Sequence, residues 1–270
     1  MNIIEQAIVG KRNQQECEDG IAVNDNFIAV IDGSTSKTPL TINPGMRNGR
    51  YCMELIKDYI GKAPKDIDLN GFCLNITKII YSEYEKKGLD IDRLQQAPTE
   101  RLTASAIIYS HYRKQIWMIG DCQCIANNTF YENPKPQEQP LAERRSAFLH
   151  DVIKKGMNIE DIQSNDPGRT SIMHDLINSC KEQNIAYAVI DGFEIPYDKI
   201  KIIDVVDNDK DIILASDGYP ILKNTLKKSE HELAIQLSKD PLCINQFKAT
   251  KGLMKGNISF DDRSYIRFRE

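Results

Sequence analysis

Phe27-Ile-Ala-Val-Ile-Asp-Gly-Ser-Thr-Ser-Lys37 is an apolar, largely β-branched run that stops at an acid and a glycine. Such a run reads as a buried strand that delivers its last carboxylate to the rim of a sheet. The glycine beside that carboxylate lets the backbone turn sharply and bring its carbonyl close to a ligand. Just upstream, residues 21–23 pair with 27–31 as a hairpin around the turn-rich Asn24-Asp25-Asn26. Residues 3–10 read as a first strand, and a polar link closing in Glu18-Asp19-Gly20 joins it to the hairpin.

Downstream, a polar loop containing Pro39, Pro44 and Gly45 runs to about Gly49. Residues 50–60 and 70–88 have helical periodicity, with Phe72, Ile76, Ile79, Ile80 and Tyr84 along one face of the second helix. Residues 103–112 and 115–121 form another apolar hairpin turning at Arg113-Lys114, and 122–127 continue it. From 133 to about 184 the character changes, proline-rich first and then helical and charged, with a break at Asn165-Asp-Pro-Gly168. This reads as a helical insertion that shapes the approach to a site. Its basic residues Arg144, Arg145, Lys154 and Lys155 read as a solvated face. Strands follow at 185–190, 199–206 and 211–216, then a helix at 229–238 and a last strand at 264–268. That order describes a mixed α+β fold on antiparallel sheets.

At 270 residues the chain can bury one substantial core. A net charge of −4 gives no basis for nucleic acid or an anionic membrane as partner. No apolar run approaches the roughly 20 residues of a transmembrane helix, and Met1-Asn-Ile-Ile-Glu-Gln lacks the regions of a signal peptide, so the cytoplasm is the default. The seven cysteines are scattered, and Cys122 and Cys124 lack the second pair that a metal knuckle needs. The four histidines, His111, His150, His174 and His231, fall outside every motif.

The grammar of the opening stretch returns in Asp211-Ile-Ile-Leu-Ala-Ser-Asp-Gly218, and Asp261-Asp262 directly precedes the terminal strand. Strand-edge carboxylates far apart in sequence read as parts of one divalent-metal site. Mg²⁺ and Mn²⁺ take oxygen ligands, and Mg²⁺ keeps several waters, so three or four protein oxygens suffice. Asp32 would bridge two ions, Gly33 would lend its carbonyl, and Asp217 and Asp261 would hold the second. Two ions about 3.5–4 Å apart can bind a phosphoryl group and activate the water between them. A lone Asp-Gly is usually only a turn, and Asp191-Gly192 is assigned to a hairpin on that ground.

Five elements in order then carry a resemblance: Glu18-Asp19, Ile31-Asp32-Gly33, Gly120-Asp121, Ala215-Ser216-Asp217-Gly218 and Asp261-Asp262-Arg263-Ser264, with the small-residue segment Thr103-Ala-Ser-Ala106 ahead of Gly120. Together they resemble the metal-dependent type 2C protein phosphatases, the PPM family, in a divergent prokaryotic-type member. The resemblance spans nearly the whole chain as one phosphatase-like domain, residues 133–184 being the least matched. It implies a four-layer α-β-β-α sandwich of two antiparallel sheets with Mn²⁺ or Mg²⁺, two ions, at one end. It further implies phosphoserine or phosphothreonine in a phosphorylated protein as substrate, with a small phosphate ester as the other candidate. Asp32, Asp217 and Asp261 become the catalytic ligands, Asp261 rather than Asp262 because the family's acid stands three residues before the Ser/Thr of the last strand. Gly33 becomes the carbonyl ligand, Glu18 and Asp19 act through metal-bound waters, and Asp121 joins the ligand set.

Three departures matter. Ser34 and Thr35 stand where many eukaryotic members carry a histidine. Ile221 replaces the acid that completes an accessory third metal with Asp121. Gln14 stands where the family has a phosphate-binding arginine, which leaves Arg12 and Lys37 as stand-ins. These losses keep a second function open, an inactive pseudophosphatase serving as a binding or regulatory module.

Overall fold

A computed structural model describes residues 1–206 and 211–270. Strands β1 (Asn2–Val9) and β2 (Asp19–Val23) precede β3 (Phe27–Gly33), the strand of the opening stretch. The β2–β3 turn is held as expected: Asn24 Oδ1 accepts the N–H groups of Asn26 and Phe27, each at 2.8 Å. The second hairpin is β4 (Ala104–Ser110) and β5 (Gln115–Ile119), followed by β6 (Gln123–Ala126) and β7 (Thr129–Tyr131). Strands β8 (Lys201–Asp204), β9 (Asp211–Ala215) and β10 (Arg263–Arg269) complete the set. One sheet has the order β2-β3-β4-β5-β8 and the other β1-β10-β9-β6-β7. Every pairing is antiparallel.

The period-2 alternation along β3 builds the layers. Phe27, Ala29 and Ile31 face helices α1 (Asn48–Ile60) and α2 (Leu69–Lys86), meeting Cys52, Ile56, Phe72 and Ile76. Ile28 and Val30 face the opposite sheet, where Leu214, Ile266 and Phe268 meet them. Each of the fully buried Val, Leu, Ile and Phe side chains among these contributes about 1.5–3 kcal/mol. Helix α2 starts where Asp68 Oδ1 accepts the Gly71 N–H at 2.7 Å. It stops just before Gly88, whose φ of +66° a helix cannot continue. Beyond α2 lies the short α3 (Ile91–Gln96). The far face of the second sheet presents Ile213, Ala215 and Tyr265 to Tyr219 and Leu222, with Leu226 packed against them. Leu226 opens a further helix (Leu226–Lys239). The four-layer α-β-β-α sandwich is therefore present.

Three readings need correction. Residues 122–127 do not extend the β4–β5 hairpin. At Gly120, with φ +98°, the chain leaves the first sheet, and β6 pairs with β9 in the second. Residues 185–190 form no strand. Ile190 and Ala104 exchange a single pair of backbone hydrogen bonds at 3.0 and 2.9 Å, and Asp191 is buried rather than at a hairpin tip. Its carboxylate takes Arg101 Nη1 at 2.8 Å, Asn184 Nδ2 at 2.9 Å and the Phe193 N–H at 3.0 Å, so Asp191-Gly192, with Gly192 at φ +86°, is a buried turn but not the end of a hairpin.

The third correction concerns the insertion, which is helical as expected: α4 (Glu138–Lys154), α5 (Ile159–Ser164) and α6 (Pro167–Ser179). The 165–168 break is the start of α6, where Asp166 caps the N–H of Arg169 at 2.9 Å and Pro167 takes the first turn. Arg145, however, is not on a solvated face; it is 0% exposed. The remaining helix, Leu226–Lys239, is α7. Among the described residues no helix is long and apolar enough to cross a membrane.

Candidate active site

Sheet register assembles the acids. Asp19 sits directly across from Asp32 on β2 and β3, and Ser105 on β4 sits across from Asp32 on the other side. The exit of β5 supplies Asp121, the exit of β9 supplies Asp217, and the entry to β10 supplies Asp261 and Asp262. Two glycines are required by close backbone approach. A Cβ on Gly33 would lie 2.2 Å from the Gly49 carbonyl oxygen, and one on Gly218 would lie 2.1 Å from that of Asp262. Asp32, Gly33, Asp217 and Asp261 line one cleft.

Asp32, Asp19 and Glu18 carry little positive charge beside them. Burial, then Asp217, Asp19 and Asp121, push the Asp32 carboxyl well above its ordinary range. Burial pushes Asp19 up to about 7, although hydrogen bonds from Ser216 and Ser264 oppose the rise. Ser264 Oγ donates to Asp19 Oδ2 at 2.8 Å, and the Ser264 N–H donates to Ser216 Oγ at 2.9 Å, so the two motif serines brace Asp19. Burial also raises Glu18, whose Oε2 accepts from Thr35 while Oε1 is buried with no partner. Asp32 accepts no hydrogen bond from a basic side chain among the described residues. Buried carboxyl oxygens short of positive charge fit a hard divalent cation.

The spacing is not that of the expected set. Among the described residues, the acids whose carboxylate oxygens lie within 4.8 Å of one another are Asp121, Glu138 and Asp217. Asp32, Asp217 and Asp261 share the cleft without forming such a group. Asp261 is occupied: Oδ1 accepts from Lys11 Nζ at 3.2 Å, and Oδ2 pairs with Lys251. Asp262 accepts the backbone N–H groups of Lys11 at 2.7 Å and Glu18 at 3.1 Å, a structural duty, and both Asp261 and Asp262 line the cleft.

Asp121 takes Ser105 Oγ at 2.6 Å and pairs with Lys135. Burial alone would raise Asp121, but these partners hold it below its ordinary value. Burial likewise opposes the charge on Lys135, yet Asp121 and Glu138 hold its ammonium well above the usual value. Glu138, on the first turn of α4, is pushed up to about 7 by burial and by Asp121. Of the two expected phosphate contacts, Lys37 lines the cleft; burial lowers its ammonium, and it has no hydrogen-bonded partner among the described residues. Arg12 is exposed and outside the cleft, while its neighbour Lys11 enters it.

Lys135, Glu138, Arg169 and Lys251 are site residues that sequence reasoning passed over. No motif marks them. The one available signal was the insertion itself, which supplies three of the four.

No protein-family model matches the chain, and no curated protein matches it significantly. Among solved structures it is similar to the serine/threonine phosphatase Stp1 from Staphylococcus aureus, at 14% identity and TM-score 0.48, covering 100% of this chain and 95% of that one. It is similar to the catalytic domain of the serine/threonine protein phosphatase PstP in complex with two manganese ions, at 10% identity and TM-score 0.45, covering 99% and 98%. It is also similar to PppA, a regulatory component of the type VI secretion system in Pseudomonas aeruginosa, at 12% identity and TM-score 0.48, covering 98% and 96%. At such identities and scores the likeness is one of chain path, and no reaction is inferred from it.

Proposed function

We propose that this chain is a divergent type 2C-like phosphatase that hydrolyses phosphate monoesters, with phosphoserine or phosphothreonine in proteins as the favoured substrate. The observation that carries the reading is Asp32, a carboxyl at a strand rim between Asp19 and Asp217 with no basic side chain bonded to it. Beside it, Glu18 Oε1 is buried and unpartnered. Such company is costly unless cations join it. Asp32, the Gly33 carbonyl, Asp217 and Asp261 would hold two Mn²⁺ or Mg²⁺ ions, with Glu18, Asp19 and Asp121 around them. Bound there, the ions supply positive charge for phosphoryl oxygens and acidify water.

The chain's own residues do the rest. Lys37 and Lys251 line the same cleft and offer ammonium groups to a phosphoryl group. Arg169 reaches the cleft from α6, held there because its Nη1 donates to the Thr250 carbonyl at 2.8 Å. Ser34 and Thr35 are poor acids near neutral pH, so a good leaving group is favoured. The test is hydrolysis of p-nitrophenyl phosphate with Mn²⁺. Asp32→Asn is expected to lower the rate at least ~100-fold, and a wild-type rate in that variant would refute the mechanism.

One observation favours a second reading, a pseudophosphatase acting as a binding module. Lys11 and Lys251 on Asp261, and Lys135 on Asp121, already neutralise two of the acids. Calorimetric titration with Mn²⁺ separates the two: binding with turnover supports the enzyme, and no binding supports the module.

A further inference from the structure

Lys135 and Glu138 sit at the start of the insertion, joined by a backbone turn in which the Glu138 N–H donates to the Lys135 carbonyl at 3.1 Å. That turn delivers a cation and an acid to the same corner of the cleft. There the Glu138 carboxylate lies within 4.8 Å of both Asp121 and Asp217, and the Lys135 ammonium bonds Asp121 Oδ2. Three carboxylates so close would ordinarily call for a divalent ion. Here a cation is already in place, on a side chain that cannot diffuse away. Glu138 has no hydrogen-bonded partner of its own among the described residues, so the acids of this corner have no other basic side chain bonded to them.

We propose that Lys135 is a tethered cation that fills the Asp121–Glu138–Asp217 corner and closes it to a free metal ion. The complement of exchangeable ions is then confined to the Asp32 side of the cleft. An ammonium offers three donors in a compact tetrahedral head. A divalent ion would demand about six oxygens and an exchange equilibrium with the medium. The lysine therefore makes the charge of this corner independent of metal concentration. The inference rests on the metal-binding reading proposed above.

The experiment counts bound Mn²⁺ by calorimetry and by metal analysis after gel filtration, and also reads thermal stability. Lys135→Met should bind one more ion per chain than wild type, and its lowered melting temperature should be restored by Mn²⁺. Lys135→Arg, which keeps the charge, should retain the wild-type count, and Lys135→Met/Glu138→Gln should lose the extra ion. An unchanged count in Lys135→Met overturns the proposal. Should that variant not fold without metal, Glu138→Gln in the wild-type background decides: an unchanged count supports the tethered cation, and the loss of one ion overturns it. Failure of the underlying reading shows elsewhere, as an Asp32→Asn variant that binds as many ions as wild type.

Discussion

Replacing Arg145 by Met tests how the insertion is fastened to the sandwich. The guanidinium is 0% exposed and makes four hydrogen bonds. Nε and Nη2 donate to Asp166 Oδ2 at 3.0 and 2.6 Å, and Nη1 donates to the carbonyl oxygens of Leu242 at 2.8 Å and Ala249 at 3.0 Å. Methionine keeps most of the stem that packs against Gly168, so the loss is chiefly electrostatic. It strands one buried carboxylate and two carbonyl groups. Breaking a buried pair from one side costs about 3–5 kcal/mol. With a urea slope of about 3 kcal/mol/M, the midpoint should fall by roughly 1–1.7 M. Urea unfolding followed by the fluorescence of Trp117, the single tryptophan, measures this. The double variant Arg145→Met/Asp166→Asn should recover about 2 kcal/mol or more, because no charge is left unpaired and asparagine can still cap α6. A loss below about 1 kcal/mol at unchanged slope, or no recovery in the double variant, would refute the reasoning.

Gly218→Ala should cost about 1–3 kcal/mol, since the new methyl must displace backbone at Asp262; Mn²⁺ affinity measured by calorimetry should fall with it, because Asp217 moves. Glu230 binds Arg263 through both oxygens, at 2.8 and 2.9 Å. Burial would raise its carboxyl, but Arg263 and Tyr219 hold it below the ordinary 4.5. Its contribution is therefore fully present above pH 4.5 and lost as the pH falls through the lower folded value. Acid titration of thermal stability should show a shallower decline in Glu230→Gln than in wild type over that interval, and identical slopes would count against the pairing.

How much of this was legible without coordinates follows from the range of the interactions. The strand over 27–33, the Asn24 turn, the face of α2 and the order of the Asp-Gly elements are local patterns. Period and turn chemistry reveal them because only neighbouring residues are involved. Asp19 and Asp32 could be named as site acids because each ends or begins a strand at the same rim. The crossing at Gly120 looked like a continued hairpin, since a chain that changes sheets keeps its apolar alternation. Asp191 reads as a hairpin end because its partner Arg101, which holds it in a buried turn, lies far upstream.

The amino-acid sequence by itself determined the alternation that makes two antiparallel sheets and the acids placed at their edges. It could do so because side-chain period and backbone freedom are properties of adjacent residues. Only the tertiary structure decided which charges meet: Arg145 inside rather than out, Lys251 on Asp261, and Lys135 and Glu138 beside Asp121. Electrostatic pairing acts through space over a few ångströms, and the chain distance between such partners leaves no trace in composition or spacing.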